Sequence, residues 1–185
     1  MIAHERSVIT PVADIGVPGF EEAGYGRIVS FRTPQKLGDL LKRISTFLGG
    51  LPGLSLATPQ SWPRERRFEK SISSVGICAG SGGSLLRDLR ADLLFTGELS
   101  HHEALTAVER GQCVITAFHS NTERAFLKQR TKDALTTAIE NILDEESKGL
   151  DKTTGTVMDK LIAVDVSETD RDPFEIVICK GIINL

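Results

Sequence analysis

The sequence predicts an α/β domain built on a mixed, largely parallel sheet with flanking helices. Three observations carry this expectation. Short apolar runs alternate with segments of helical period through the centre of the chain. Each run ends in glycine or small polar residues, as strands do where they turn into helices. The length, 185 residues, suffices for one domain with a core and is short for two.

Met1 to Gly24 mixes Pro11, Pro18, Gly16 and Gly19 with short apolar pieces such as Val8-Ile9 and keeps no period, so residues 1–23 are read as irregular. The α/β domain is expected over residues 24–185. Gly26-Arg-Ile-Val-Ser-Phe31 alternates as a strand does, and Thr33-Pro34 offers an N-cap with proline at the first helical position. Leu37, Leu40, Leu41, Ile44, Phe47 and Leu48 recur at helical spacing until Gly49-Gly50. A loop excursion follows near 51–72, with a short strand at Leu54 to Ala57, Trp62 and the basic run Arg64-Glu65-Arg66-Arg67. That run reads as a solvated loop, since no second basic patch extends it into a nucleic-acid footprint.

The centre reads βαβαβα. Val75 to Ala79 is a buried-strand run that opens into Gly80-Ser-Gly-Gly-Ser84, and Leu85, Leu86 and Leu89 follow as a helix. Leu93 to Thr96 is the second strand, closing on Gly97-Glu98, and a helix starts at Ser100. Cys113 to Phe118 is the third, with His119 at its exit and a long helix from about Thr122 to Glu145. Strand, helix, strand in this order packs as a parallel sheet. Leu161–Val166 and Phe174–Ile183 read as two last strands around the turn-rich Ser167-Glu-Thr-Asp-Arg-Asp-Pro173.

Composition bounds the function classes. A net charge of −3 provides no general attraction to nucleic acid, so no direct nucleic-acid binding is expected. No apolar run approaches the roughly 18 residues of a membrane span, so no membrane partner is expected. Cys78, Cys113 and Cys179 each lie in an apolar strand-like run, which suits inert buried thiols in a reducing, cytoplasmic setting better than a disulfide framework.

In open α/β sheets, ligands gather at the carboxyl ends of the strands, and the three central exits carry the polar residues. Gly80 to Ser84 lacks the lysine of a phosphate-binding loop, so a tight strand-to-helix turn is the better reading. His101 and His102 look like ligands, yet Ser100-His-His-Glu103 is also a capping box and requires no metal. His119 and Glu123 are the candidate site. Imidazole and carboxylate at this spacing can converge above the first helical turn, with ligand types that suit zinc, manganese or iron. Ser120 to Glu123 reads equally as a capping box. Two protein ligands are too few for a catalytic metal centre, which usually takes at least three.

Four segments carry a more specific signal: Val75 to Leu85, Ala91 to His102, His119 to Arg124, and Ser167 to Pro173, with Gly24-Tyr-Gly-Arg27 ahead of them. In these the sequence resembles the Nif-three-like family, also described as GTP cyclohydrolase type 2 homologues, and in particular the C-terminal half of its eukaryotic branch. The resemblance implies that half of a two-part α/β fold which builds a dinuclear metal site. It implies that His119 and Glu123 are the two ligands of this half. The rest, an adjacent histidine pair and an aspartate, would belong to an N-terminal half. His101 and His102 follow Thr-Gly-Glu-Leu-Ser, a motif of the C-terminal half, and are not that pair. The implied function is a dinuclear-metal-binding protein with hydrolase or cyclohydrolase-like chemistry, its metal site incomplete in this chain. The alternative is a non-catalytic protein-interaction or transcription-regulatory module. Implied partners are a second copy in a homo-oligomer, the N-terminal half, or a protein of transcription regulation.

Overall fold

The computed structural model describes residues 2–13, 16–149 and 163–174. Contacts divide them into two units, the described residues up to 123 together with 172–174, and residues 124–149 with 163–171.

The first unit is a six-stranded mixed sheet: β1 (His4–Pro11), β2 (Gly24–Lys36), β3 (Ser55–Ala57), β4 (Ser71–Ser81), β5 (Leu93–Glu98) and β6 (Cys113–Thr116), in the order β1-β2-β4-β5-β6-β3. β4, β5 and β6 are parallel, joined by the crossovers that the sequence pattern predicts. The outer pairings, β1 with β2, β2 with β4 and β3 with β6, are antiparallel. The parallel character is therefore confined to the centre, and antiparallel pairings form the majority. Parallel neighbours require a crossover connection, which residues 82–92 and 99–112 supply between β4, β5 and β6.

β5 and β6 read as unbroken apolar runs because both faces of the sheet are covered, and residues alternate between two cores. Leu93, Cys113 and Ile115 join Leu37, Leu40, Ile72 and Val75 on one face, under helix α1 (Leu37–Phe47). Leu94 and Val114 join Leu86, Ala91 and Ala107 on the other, under the one-turn α2 (Gly83–Leu86) and α3 (His101–Glu109). Trp62 of the loop excursion packs against the first core, and β3 lies within that loop where a short strand is expected. Arg64 and Arg66 are exposed.

Three expectations change. The N-terminal segment is not irregular throughout: His4–Pro11 forms an edge strand, exposed over most of its length, whose ladder partners rather than any burial pattern define it. α1 starts at Leu37, not at Thr33-Pro34, because Gln35 and Lys36 pair with Ile72 and Ser71 and hold the chain extended past the proline. Of the two last strands, residues 163–166 form no strand, and 175–183 lie outside the described residues.

In the second unit the predicted long helix is divided into α4 (Arg124–Phe126), a π-helical turn at Leu127–Thr131 and α5 (Lys132–Gly149). Thr131 Oγ1 donates to the Phe126 carbonyl five residues back, the spacing of a π turn. Arg124 pairs with Asp170 at 2.6 Å and Lys132 with Asp165 at 3.4 Å.

Candidate functional site

Because β4, β5 and β6 run parallel, their carboxyl ends share one edge of the sheet, and Gly80-Ser81, Gly97-Glu98 and Phe118-His119 meet there. Two glycines make the approach possible. A Cβ on Gly97 would stand 2.6 Å from the Gly80 carbonyl and 2.9 Å from the Cα of His119. A Cβ on Gly80 would stand 2.8 Å from Glu123 Oε1 and 3.0 Å from His119 Nε2, and Gly80 has φ of +68°, a left-handed conformation that glycine adopts freely. Phe118, one residue before the histidine, is the one non-glycine residue at positive φ among those described, at 65°.

Hydrogen bonds fix the exits to one another. The Gly80 N–H donates to Thr122 Oγ1 at 2.8 Å, and that hydroxyl donates to the His119 carbonyl at 2.7 Å. The buried Thr96 hydroxyl donates to the Gly80 carbonyl at 3.0 Å. Gly82 N–H reaches the Glu98 carbonyl at 3.3 Å. The glycine run is thus a turn whose named N–H groups are engaged by protein, as the tight-turn reading expects.

His119 lies between two carboxylates. Its Nδ1 is 2.7 Å from Glu98 Oε1, and its Nε2 is 3.4 Å from Glu123 Oε1. All three side chains are about half exposed. The hydrogen bond to Glu98, reinforced by the charges of Glu123, Glu98 and Asp172, raises the imidazole above its ordinary value of 6.5. An ionised carboxylate only accepts, so in neutral imidazole the proton sits on Nδ1 and Nε2 presents a lone pair to Glu123. Two acceptors facing each other call for a cation between them, either a proton or a metal ion. Two ligands of a tetrahedral zinc, each at about 2.0–2.2 Å, stand roughly 3.4 Å apart, the spacing found here. The donor chemistry and the room that Gly80 leaves both fit a divalent metal. Glu98 occupies the opposite ring nitrogen and does not converge with this pair; among the described residues no three histidine, cysteine or carboxylate side chains form a metal cluster.

The structure brings His119 and Glu123 together and leaves the other histidine candidates elsewhere. Ser100 caps α3, accepting from the Glu103 N–H at 3.3 Å while the Glu103 carboxylate accepts from the Ser100 N–H at 2.9 Å, so the capping-box reading of Ser100 to Glu103 holds. These bonds hold the Glu103 carboxyl below its usual range. The competing capping box at Ser120 does not form. Ser120–Thr122 is a 3-10 turn, and the Ser120 hydroxyl donates to Asp172 at 2.7 Å. Glu123 is thereby released from a capping role. Asp172 comes from the turn-rich segment near residue 170, whose part here sequence reasoning leaves unread. Of the cysteines, Cys113 is buried and its thiol is pushed up to about 12 by that burial; Cys78, half-buried, is raised by burial and then by Glu123; Cys179 lies outside the described residues.

A mixed sheet with this site at its parallel strand exits places the chain among NIF3-related folds. The Bacillus cereus protein related to NIF3 superposes with a TM-score of 0.54 at 18% identity, over 83% of this chain and 36% of that one. Staphylococcus aureus protein SA1388 does so with 0.54 at 22% identity, over 83% and 43%. The sequence is more specific. The family described as Duf34/NIF3 (NGG1p interacting factor 3) matches residues 3–153, and the chain belongs to it. The Protein NIF3 homolog of Schizosaccharomyces pombe is 44% identical over 108 residues, 58% of this chain and 36% of that protein. NIF3-like protein 1 of Rattus norvegicus is 34% identical over 168 residues, 91% of this chain and 38% of that protein. The chain thus spans little more than a third of the length of the curated relatives it matches.

Proposed function

We propose that this chain contributes His119 and Glu123 as two ligands of a dinuclear divalent-metal centre, of zinc, manganese or iron. Its remaining ligands come from residues beyond this chain or from another subunit. The completed centre would serve hydrolase or cyclohydrolase-like chemistry. One observation carries the reading: Nε2 of His119 and Oε1 of Glu123 converge at 3.4 Å over a glycine that leaves room for an ion. A bound divalent ion supplies Lewis acidity and activation of water. His119 would bind through Nε2 and Glu123 through Oε1, while Gly80 keeps the approach open. Calorimetric titration of the chain with zinc tests this. Binding lost in His119→Ala supports the ligand role, and binding unchanged by that substitution sinks it.

A second reading is favoured by the name of one relative. NGG1-interacting factor 3 of Saccharomyces cerevisiae, 40% identical over 117 residues, is named for a protein partner. By that analogy the chain serves as a non-catalytic module that self-associates or docks on a protein of transcription regulation. Light scattering separates the outcomes: a strictly monomeric chain at high concentration counts against self-association.

A further inference from the structure

We propose that Glu98 is the positioning residue of His119, fixing the neutral imidazole in the Nδ1–H form so that the Nε2 lone pair faces Glu123. The inference deepens the metal-ligand reading, but its geometry stands without a metal.

Three observations carry it. The Glu98 carboxylate meets His119 Nδ1 at 2.7 Å, a charge-assisted bond, whereas Glu123 stands at 3.4 Å from Nε2, beyond a good hydrogen bond. The two ring nitrogens are therefore not equivalent, and the proton belongs on the Glu98 side. Glu98 itself is held by its backbone: it pairs with Ser81 across β4 and β5, and its carbonyl accepts from Gly82. Its carboxylate is half exposed and bonds to His119 alone among the described residues, so packing does not explain its orientation.

The preceding residue completes the device. Gly97 lets β5 approach until a Cβ there would lie 2.9 Å from the Cα of His119, which brings the next side chain, Glu98, within reach of Nδ1. A carboxylate behind a ligating imidazole fixes its tautomer and raises its basicity, and removing such a partner weakens metal binding by roughly ten- to a hundredfold.

The test is the tautomer of His119 in the metal-free chain, read from long-range proton–nitrogen correlation spectra at alkaline pH, where imidazole is neutral. The expected result is the Nδ1–H form in the native chain and in Glu98→Gln, whose side-chain carbonyl still accepts. Glu98→Ala should shift His119 to the Nε2–H form while the backbone amide spectrum stays native. An Nε2–H imidazole in the native chain, or a tautomer that Glu98→Ala leaves unchanged, overturns the inference. Zinc titration of the same variants separates the two claims. If Glu98→Ala binds roughly tenfold or more weakly than Glu98→Gln, positioning serves metal binding. If no variant binds zinc while the tautomer responds, the metal reading falls and the positioning role stands.

Discussion

The buried hydroxyl of Thr96 donates to the carbonyl of Gly80 at 3.0 Å, tying the end of β4 to the middle of β5 beneath the histidine. Thr96 is fully buried, so valine of nearly the same shape would leave that carbonyl without its partner. Thr96→Val should cost about 1–3 kcal/mol in urea unfolding, the penalty of an unsatisfied buried polar group. An unchanged midpoint would show that the bond does not hold the exit.

Gly80→Ala should be more damaging than Gly49→Ala, although both residues have positive φ. At Gly49 a Cβ meets nothing within 4 Å, so only the left-handed backbone is penalised, at roughly 1–2 kcal/mol. At Gly80 the same Cβ also crowds Glu123 and His119. Denaturant midpoints of the two variants give the difference, and equal losses would mean that the side chains move aside freely.

His119 should titrate above 6.5 when followed by its ring carbon shifts, since the Glu98 hydrogen bond raises it. The folded value is the higher one, so the stabilising contribution is complete below the unfolded value and is lost as pH rises through the folded value. Glu98→Gln, which keeps an acceptor but removes the charge, should lower the midpoint. A midpoint at or below 6.5 in the native chain would contradict the described contact.

Cys113 should resist alkylation at neutral pH in the folded chain, because burial pushes its thiol up to about 12. Cys78 should react slowly, its thiol being raised by burial and by Glu123. Peptide mapping after iodoacetamide treatment reads both, and rapid Cys113 labelling without denaturant would count against the buried placement.

Ser100→Ala removes the side-chain half of the α3 capping box and should cost about 1 kcal/mol by denaturant unfolding. A loss within a few tenths would mean that solvent replaces the bond.

The parallel centre of the sheet was legible because strands covered on both faces leave continuous apolar runs, and Leu93–Leu94 and Cys113–Val114–Ile115 are such runs. β1 was not, because an edge strand with most residues exposed has no apolar alternation to read. Thr33-Pro34 is a sound helix-start signal that cross-strand pairing overrides. At the site, local spacing could nominate His119 and Glu123 but could not tell whether the Ser120 cap forms. That outcome depends on Asp172, about fifty residues away in sequence, engaging Ser120. Adjacency of the strand exits already made Glu98 a polar neighbour of the site, but its bond to His119 Nδ1 needs side-chain geometry that spacing does not supply.

Phe118 takes up its left-handed φ of 65° immediately before the histidine, and its ring stacks on Phe174 at 6.1 Å. A backbone set in this way commits its conformational entropy during folding, before any ligand arrives. The metal capture proposed for His119 would then need only the rotamers of exposed side chains to settle. The process should be fast, with a small heat-capacity change, unlike one that must first order a loop.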